Sequence, residues 1–399
     1  MENKIEVKNL TKIFGSNPKE GLKRLKEGQS KEKILDETGL TVGVNQASFK
    51  IEEGEFFVIM GLSGSGKSTL IRLINRLIEP TAGEILIDGQ NITTMNKTEL
   101  MNTRRKKLGM VFQKFALFPH RTVTTNVEYG LEIQDVPKED RNKRALKSIV
   151  DVGLKGYEDS YPDELSGGMQ QRVGLARALA NDTDILLMDE AFSALDPLIR
   201  KEMQDELLTL QSKLGKTIIF ITHDLDEALK LGDRIAIMKN GHIVQIGTPE
   251  EILENPANQY VSSFVEDVDR SKVLVASNIM KKPDVITTWK EGARAAIKKM
   301  EDAGLSSIFV VDKQKNLKGL LTIDDAIKAY KNNSWVEDVL IHDYHTTSPD
   351  TPLNDLIQIA TETKYPIAVV EDEKLKGIIV RVSILSGLTF GKVKEEVTD

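Results

Sequence analysis

The chain of 399 residues contains no cysteine, only 5% aromatic residues and no long apolar run. The lack of cysteine excludes disulfide bonds and thiol chemistry, and it fits a reducing compartment. No uninterrupted apolar stretch approaches the roughly 18 residues that span a bilayer. Residues 1–7 also lack the apolar core of a signal peptide. If the protein works at a membrane, we therefore expect other chains to supply the spanning segments.

The chain also lacks the positive charge that a broad nucleic-acid surface requires. Its formal net charge is -7, and neither residues 1–271 nor residues 272–399 are basic on balance. We therefore expect no nucleic-acid partner. The length predicts two or three domains.

A glycine-rich loop is the strongest motif present. Residues Gly61–Thr69 read GLSGSGKST, which fits the phosphate-binding P-loop pattern. The loop follows a predicted strand, Glu55–Met60, and opens a predicted helix, Ser68–Leu77. Its glycines let backbone N–H groups point at phosphate oxygens, Lys67 would reach the β- and γ-phosphates, and Ser68 would bind Mg²⁺. The predicted nucleotide-binding residues here are Gly61, Ser63, Gly64, Ser65, Gly66, Lys67, Ser68 and Thr69.

Two further apolar stretches predict buried strands that end in polar side chains. Residues Asp184–Asp189 are followed by Glu190, and residues Thr217–Thr222 are followed by His223. Apolar strands that alternate with helical segments predict an α/β fold with a covered parallel sheet. Ligands collect at the carboxyl edge of such a sheet, so these polar groups are candidate site residues.

A second motif, LSGGMQQ at Leu165–Gln171, matches the signature of ATP-binding cassette (ABC) ATPases. With the P-loop, it makes the chain resemble that family. The resemblance implies a P-loop cassette with a parallel-sheet core and antiparallel and helical subdomains. It also implies ATP and Mg²⁺ as cofactors and a homodimer in which the signature of one subunit covers the ATP of the other.

The resemblance also implies roles for individual residues. Asp189 would hold the Mg²⁺ shell, Glu190 would polarise the attacking water as general base, and His223 would contact the γ-phosphate and orient Glu190. Gln113 would sense Mg²⁺ and water. The catalytic residues would be Glu190, His223 and Lys67, and the metal-binding residues would be Ser68, Gln113 and Asp189.

The resemblance implies roles for further positions, two of which have a structural alternative. Phe14 fits the aromatic residue that stacks on adenine, although plain core packing is an equal alternative. Asp196 fits the loop that crosses to the second subunit, with helix capping before Pro197 as the alternative. The signature residues that would cover nucleotide are Ser166, Gly167, Gly168 and Gln170, which we expect to precede a helix at Arg172–Ala180.

An insertion at about residues 15–41, named here the insertion, mixes both charge signs. It is expected to be an exposed loop or helix, or else a contact for a partner or a lipid headgroup. The ATPase domain is expected to span residues 1–265, and a helical stretch at Gln259–Asp269 is expected to lead into the next domain.

The rest of the chain contains an internal repeat. Ser307–Asp312 is echoed by Pro366–Glu371, and Gly319–Thr322 is echoed by Gly377–Val380. Each copy is predicted to run strand, helix, strand, strand, helix, which resembles a tandem pair of CBS domains at residues 272–331 and 335–390, with a tail at 391–399. Thr322 and Asp325 fit the ribose-binding pattern of that family. The second copy has Val380 and Ser383 instead, so a ribose site is not expected there.

The whole combination resembles the ATPase subunit of glycine betaine importers. That resemblance implies a transmembrane permease with a fused or separate substrate-binding protein, peripheral attachment at the cytoplasmic face of a bacterial membrane and possible contact with anionic lipid. It suggests control through the CBS pair by cyclic di-AMP or by ionic strength, sensed by Lys364, Lys374, Lys376 and Arg381. A pair that only dimerises is the alternative. Another solute, such as proline or a different quaternary amine, and a soluble regulatory ATPase without a permease also remain open.

Overall fold

The structure is a computed structural model that describes residues 3–112, 115–266, 269–287 and 291–388. The chain divides into two compact units, Met1–Val265 and Glu266–Asp399. Within the described residues, no helix is long and apolar enough to cross a membrane.

The first unit contains two sheets and the helices that pack on them. Its strands are β1 (Asn3–Phe14), β2 (Thr41–Glu52), β3 (Phe56–Met60), β4 (Ala82–Ile87), β5 (Gln90–Asn91), β6 (Leu108–Val111), β7 (Ile185–Asp189), β8 (Thr217–Thr222), β9 (Arg234–Lys239) and β10 (His242–Gly247). Its helices are α1 (Pro18–Lys26), α2 (Lys31–Thr38), α3 (Lys67–Ile74), α4 (Lys97–Lys107), α5 (Val123–Glu132), α6 (Lys138–Asp151), α7 (Gly167–Ala180), α8 (Pro197–Leu214), α9 (Leu225–Leu231), α10 (Pro249–Glu254) and α11 (Gln259–Val265).

The larger sheet has the order β10-β9-β3-β8-β7-β6. All its neighbouring pairs are parallel except β10 with β9. Every residue of β3, β7 and β8 is buried, as expected for strands covered on both faces. The expected α/β fold with a parallel sheet is therefore confirmed. A smaller antiparallel sheet has the order β2-β1-β4-β5.

Several helix boundaries differ from the expectation. Helix α7 begins at Gly167, not Arg172, because the Ser166 side chain accepts the N–H of Met169 and caps the helix there. Helix α3 ends at Ile74, before Leu77, and Arg76 has a left-handed φ of 53° that a helix cannot continue through. Helix α11 ends at Val265 rather than Asp269.

The insertion forms α1 and α2, and these helices share a small apolar core with β1 and β2. Ile34 of α2 is fully buried with Ile13, Leu40 and Val42, and Leu22 of α1 packs against the same cluster. The expectation of a merely exposed segment was therefore wrong for this face, although much of the rest is exposed.

The second unit contains two similar halves. Its strands are β11 (Val285–Thr287), β12 (Ser307–Val311), β13 (Leu317–Thr322), β14 (Thr346–Thr347), β15 (Ile367–Glu371) and β16 (Lys374–Ile379). Its helices are α12 (Ala276–Ile279), α13 (Ala293–Asp302), α14 (Ile323–Asn332), α15 (Leu353–Glu362) and α16 (Arg381–Leu388). The sheet orders are β11-β12-β13 and β14-β15-β16, each with one parallel and one antiparallel pair. This repeat of strand, helix, strand, strand, helix agrees with the expectation.

The two halves of this unit share a core. Phe309, Val311 and Leu320 of the first half are buried in one cluster with Ala368 and Leu375 of the second. Burying one continuous apolar surface makes the pair a single packed module.

Candidate functional site

The candidate site lies at the carboxyl ends of three neighbouring strands. Strand β8 lies between β3 and β7, and its register pairs Met60 with Thr222 and Asp189 with Ile221. The P-loop follows β3, His223 follows β8, and Glu190 follows β7. The sheet therefore brings three separate predicted segments to one edge, where α/β proteins bind ligands.

Steric demands explain two of the P-loop glycines. Gly61 has a φ of 153°, and a side chain there would overlap the Met238 carbonyl oxygen and lie 2.8 Å from Ser65 Oγ. Gly66 has a φ of 106°, and a side chain there would overlap the Gly43 carbonyl oxygen. Only glycine combines these backbone angles with such close approach, so the loop must pack tightly against β2 and β9.

Lys67 lies inside this loop. Its Nζ donates to the carbonyl oxygens of Gly61 at 2.8 Å and Leu62 at 3.2 Å. Burial lowers the pKa of Lys67, and the nearby carboxylates of Glu190 and Asp189 act in the opposite direction. A partly desolvated ammonium gains from an anionic partner, so a phosphate group is a suitable ligand here.

Ser68 and Asp189 form the candidate metal pair. Ser68 Oγ donates to Asp189 Oδ1 at 2.9 Å, and Arg72 lies 3.8 Å from Asp189 Oδ2. Burial raises the pKa of Asp189, while the Ser68 hydrogen bond lowers it. In the part of the chain that the structure describes, no group of three or more acidic, histidine or cysteine side chains could hold a metal. Mg²⁺ commonly takes one or two carboxylates and completes its shell with phosphates and water, so this pair fits Mg²⁺ that arrives with a nucleotide.

Glu190 has an unusual backbone conformation. Its φ is 48°, a left-handed value that is uncommon for glutamate and costs roughly 1–2 kcal/mol. Its N–H donates to Ile221 O at 3.1 Å, and its carbonyl oxygen accepts a 2.9 Å hydrogen bond from Ser193 Oγ. These main-chain bonds hold the turn. His223 Nδ1 lies 3.7 Å from Glu190 Oε1, so the two predicted catalytic side chains are neighbours.

A cavity of about 390 Å³ adjoins these groups. The predicted site residues that line it are Phe14, Ser63, Gly64, Gly66, Lys67, Ser68, Thr69 and Glu190. Phe14 is 38% exposed, and a side chain at Gly43 would lie 2.8 Å from its ring, so the ring lies against that glycine and faces the cavity rather than the core. Ser65 is buried, and within the described ranges its Oγ has no hydrogen-bond partner.

The signature residues are not among those that line this cavity. Ser166 caps α7, and Gln170 Nε2 donates to Pro162 O at 2.9 Å and Leu165 O at 3.2 Å. A side chain at Gly168 would lie 2.5 Å from Ile199 Cγ2, whereas one at Gly167 would meet only ordinary contacts. The close packing of α7 on α8 therefore explains, within one chain, why residue 168 is glycine. It does not explain why residue 167 is glycine.

Other predicted residues lie elsewhere. The Asp196 side chain caps α8 by accepting the N–H of Ile199 at 3.1 Å, in line with the capping alternative. Gln113 lies outside the described residues. In the second unit, Thr322 Oγ1 donates to Asp325 Oδ2 at 2.6 Å, at the start of α14.

Sequence reasoning missed part of the cavity wall. Lys31, Glu32 and Leu35 of α2 line it, together with Thr41–Gly43 of β2. Gly43, a glycine inside a strand, is the one signal that could have indicated close backbone approach there. Nothing in the pattern of α2 indicated that this helix faces a cavity.

These features define a class of protein, the ABC ATPase cassette joined to a CBS pair. A family model described as ABC transporter matches residues 44–193, and a CBS domain model matches residues 276–332 and 336–389. One similar solved structure is the dimer of the ATP-binding cassette MJ0796 in a post-hydrolysis state, bound to ADP and Pi. It has 34% sequence identity to this chain and a TM-score of 0.52. The match covers 61% of this chain and 98% of that cassette.

Curated relatives match over almost the full length. The glycine betaine/carnitine transport ATP-binding protein GbuA of Listeria monocytogenes is 59% identical over 98% of each chain. The glycine betaine transport ATP-binding protein OpuAA of Bacillus subtilis is 58% identical over 96% of this chain and 92% of its own. The glycine betaine/proline betaine protein ProV of Escherichia coli is 51% identical over 96% and 97%. This chain belongs to that family of ABC transporter ATP-binding subunits, and it is an ATPase.

Proposed function

We propose that the chain powers uptake of glycine betaine or a related osmoprotectant through a membrane permease. The observation that carries this proposal is the near full-length similarity to the betaine transport subunits, across the cassette and the CBS pair together. The cassette by itself would support only ATP-driven work, because one fold serves several functions.

The site explains how such a subunit would hydrolyse ATP. The P-loop amides and Lys67 would hold the phosphates, while Ser68 and Asp189 would hold the Mg²⁺ that accompanies them and offsets their negative charge. Glu190 would take the proton of the attacking water, and His223 beside it would orient the carboxylate and contact the γ-phosphate. The signature residues complete the site from a second copy. The separation of Ser166–Gln170 from the cavity of their own chain supports this arrangement.

The permease would contact the segment at residues 115–123. Phe118 is half-buried, its ring lies 4.5 Å from that of Tyr129, and Arg121 lies over both rings. The fully buried Asn126 bonds both the N–H and the carbonyl of Phe118. The segment is therefore a firmly held surface that carries partly exposed apolar side chains, as docking of a partner requires.

This segment is also tied to the signature helix. Phe115 and Ala116 have left-handed φ values of 46° and 51°, and Arg177 of α7 donates to both carbonyl oxygens at 3.1 and 2.6 Å. Movement of α7 when two subunits close would therefore reach the proposed permease contact directly.

The CBS pair would regulate this activity by binding cyclic di-AMP or by sensing ionic strength. The Thr322 hydroxyl and the Lys328 ammonium lower the pKa of Asp325, so its carboxylate stays ionised as an acceptor for ribose hydroxyls of cyclic di-AMP. Two of the four basic residues proposed to sense ions have partners within the chain. Lys376 pairs with Glu371 at 2.7 Å, and Arg381 donates to the carbonyl oxygen of Thr363 at 2.9 Å.

The proposed location is the cytoplasmic face of the cell membrane, attached through the permease. Its permease would carry a fused or separate substrate-binding protein, and anionic lipid headgroups would be a further contact. The absence of a spanning helix in the described part of the chain means that this attachment would depend on partners.

Uptake of labelled betaine into vesicles containing this subunit and its permease tests the proposal. ATP should drive uptake, and carnitine, choline and proline as competitors would define the solute. Uptake of another solute in place of betaine would overturn the substrate assignment. Hydrolysis by a chain that binds no permease would favour a soluble regulatory ATPase. Raising the internal salt concentration and adding cyclic di-AMP test regulation by the CBS pair. If the uptake rate responds to neither, the pair serves only as a dimerisation module.

A further inference from the structure

Helix α2 of the insertion forms part of the wall of the nucleotide cavity. Lys31, Glu32 and Leu35 line it with Phe14 and the P-loop. Leu35 is 46% exposed, although it is a large apolar residue within one turn of a fully buried core position. An apolar side chain held open at a cavity is suited to an apolar ligand surface.

The local structure holds Leu35 in this position. The preceding residue, Ile34, is completely buried in the core that the insertion shares with β1 and β2, so α2 cannot rotate without exposing it. Ser30 caps the start of α2, and Gly39 ends it with a left-handed φ of 69°. The helix is therefore fixed at both ends and along one face, which leaves Leu35 directed at the cavity.

The orientation of ATP follows from the groups that hold its phosphates. Lys67 and Ser68 belong to the P-loop end of the cavity. Phe14, Gly43 and Thr69 meet next to that end, because a side chain at Gly43 would lie 2.8 Å from the Phe14 ring and 3.4 Å from Thr69 Cγ2. The wall formed by α2, together with Thr41 and Val42 of β2, is left for the nucleoside.

We propose that α2 is a nucleotide-binding element of this cassette and that Leu35 packs against the adenosine of bound ATP. The proposal rests on the ATPase activity of the chain but not on its permease or transported solute. A base that meets Phe14 and Leu35 buries apolar surface against two side chains, which stabilises the complex without hydrogen bonds to the base.

The absence of native cysteine allows a direct test. In the full chain, the only thiol of Leu35→Cys can be alkylated, and the reaction rate measured with ATP, ADP or inorganic tripolyphosphate. ATP and ADP should both slow alkylation, whereas tripolyphosphate should not. Leu77→Cys is the control, because Leu77 is 55% exposed and is not among the cavity residues. Its rate should not respond to any of the three.

The comparison separates an adenosine contact from other effects. Protection by ATP alone would indicate burial between two subunits and would overturn the proposal, as would equal rates with and without ADP. As a second measurement, Leu35→Ser should weaken ATP and ADP binding by about 3- to 10-fold, the range expected for losing part of a leucine contact. Tripolyphosphate binding should be unchanged, and Leu77→Ser should change neither. A purified chain that binds no nucleotide would instead contradict the ATPase assignment itself.

Discussion

Replacing Glu190 by glutamine isolates the proposed general base from the fold around it. Glutamine has the same size, and the bonds that hold the left-handed turn are main-chain bonds to Ile221 and Ser193, which the substitution leaves in place. The hydrogen bonds of Lys67 and the hydrogen bond from Ser68 to Asp189 also stay in place. We therefore expect Glu190→Gln to fold normally, with a free energy of unfolding within about 0.5 kcal/mol of the unmodified chain.

The loss of the base sets the size of the effect. A positioned base typically contributes about 10²–10⁴-fold, which corresponds to roughly 2.7–5.4 kcal/mol in the activation barrier. Steady-state phosphate release should fall by that factor. Equilibrium binding of ATP should be as tight as before or tighter, because the carboxylate that repels the phosphates is gone.

A carboxylate outside the cavity provides the control. Glu139 in the first turn of α6 is exposed and does not line the cavity, so Glu139→Gln removes an equal charge without changing the site. Its hydrolysis rate should stay within about twofold of the unmodified chain. If Glu190→Gln hydrolysed ATP at a rate within threefold of the unmodified chain, or if both variants slowed equally, the assigned role of Glu190 would be refuted.

Two further predictions follow from buried acids. Because burial raises the pKa of Asp189, the ionised form of this side chain destabilises the nucleotide-free fold. Asp189→Asn should therefore abolish Mg²⁺-dependent hydrolysis but keep or raise the melting temperature of the cassette. A lower melting temperature would contradict this reasoning. Burial likewise raises the pKa of Glu227, which accepts a 3.0 Å hydrogen bond from Gln204, so the folded chain keeps this proton to higher pH than the unfolded chain. The contribution of Glu227 to the free energy of unfolding should therefore fall as pH rises above about 4.3, the pKa of a free glutamate. In urea unfolding, Glu227→Gln should raise the free energy of unfolding at pH 8 but change it little at pH 4. Equal changes at the two pH values would refute this account of Glu227.

Local sequence was sufficient wherever one segment carries its own signal. The P-loop has its motif in consecutive residues, and the apolar runs of β3 and β8 indicate buried strands within a residue of their observed ends. The CBS repeat was recognisable because two similar halves recur in order. Helix ends were less predictable: α7 begins five residues before Arg172, since a single side-chain bond from Ser166 decides its start.

What the sequence alone determined is therefore the class of each segment and the identity of the chemical groups. Only the tertiary structure decided which groups meet. Ser68 and Asp189 are 121 residues apart and touch because the loop after β3 and the end of β7 lie at the same edge of the sheet, on either side of β8. Ile34 and Leu35 are adjacent and equally apolar, yet one is buried and the other lines the nucleotide cavity. Local pattern cannot distinguish them, because the choice depends on the surface that β1 and β2 present to α2.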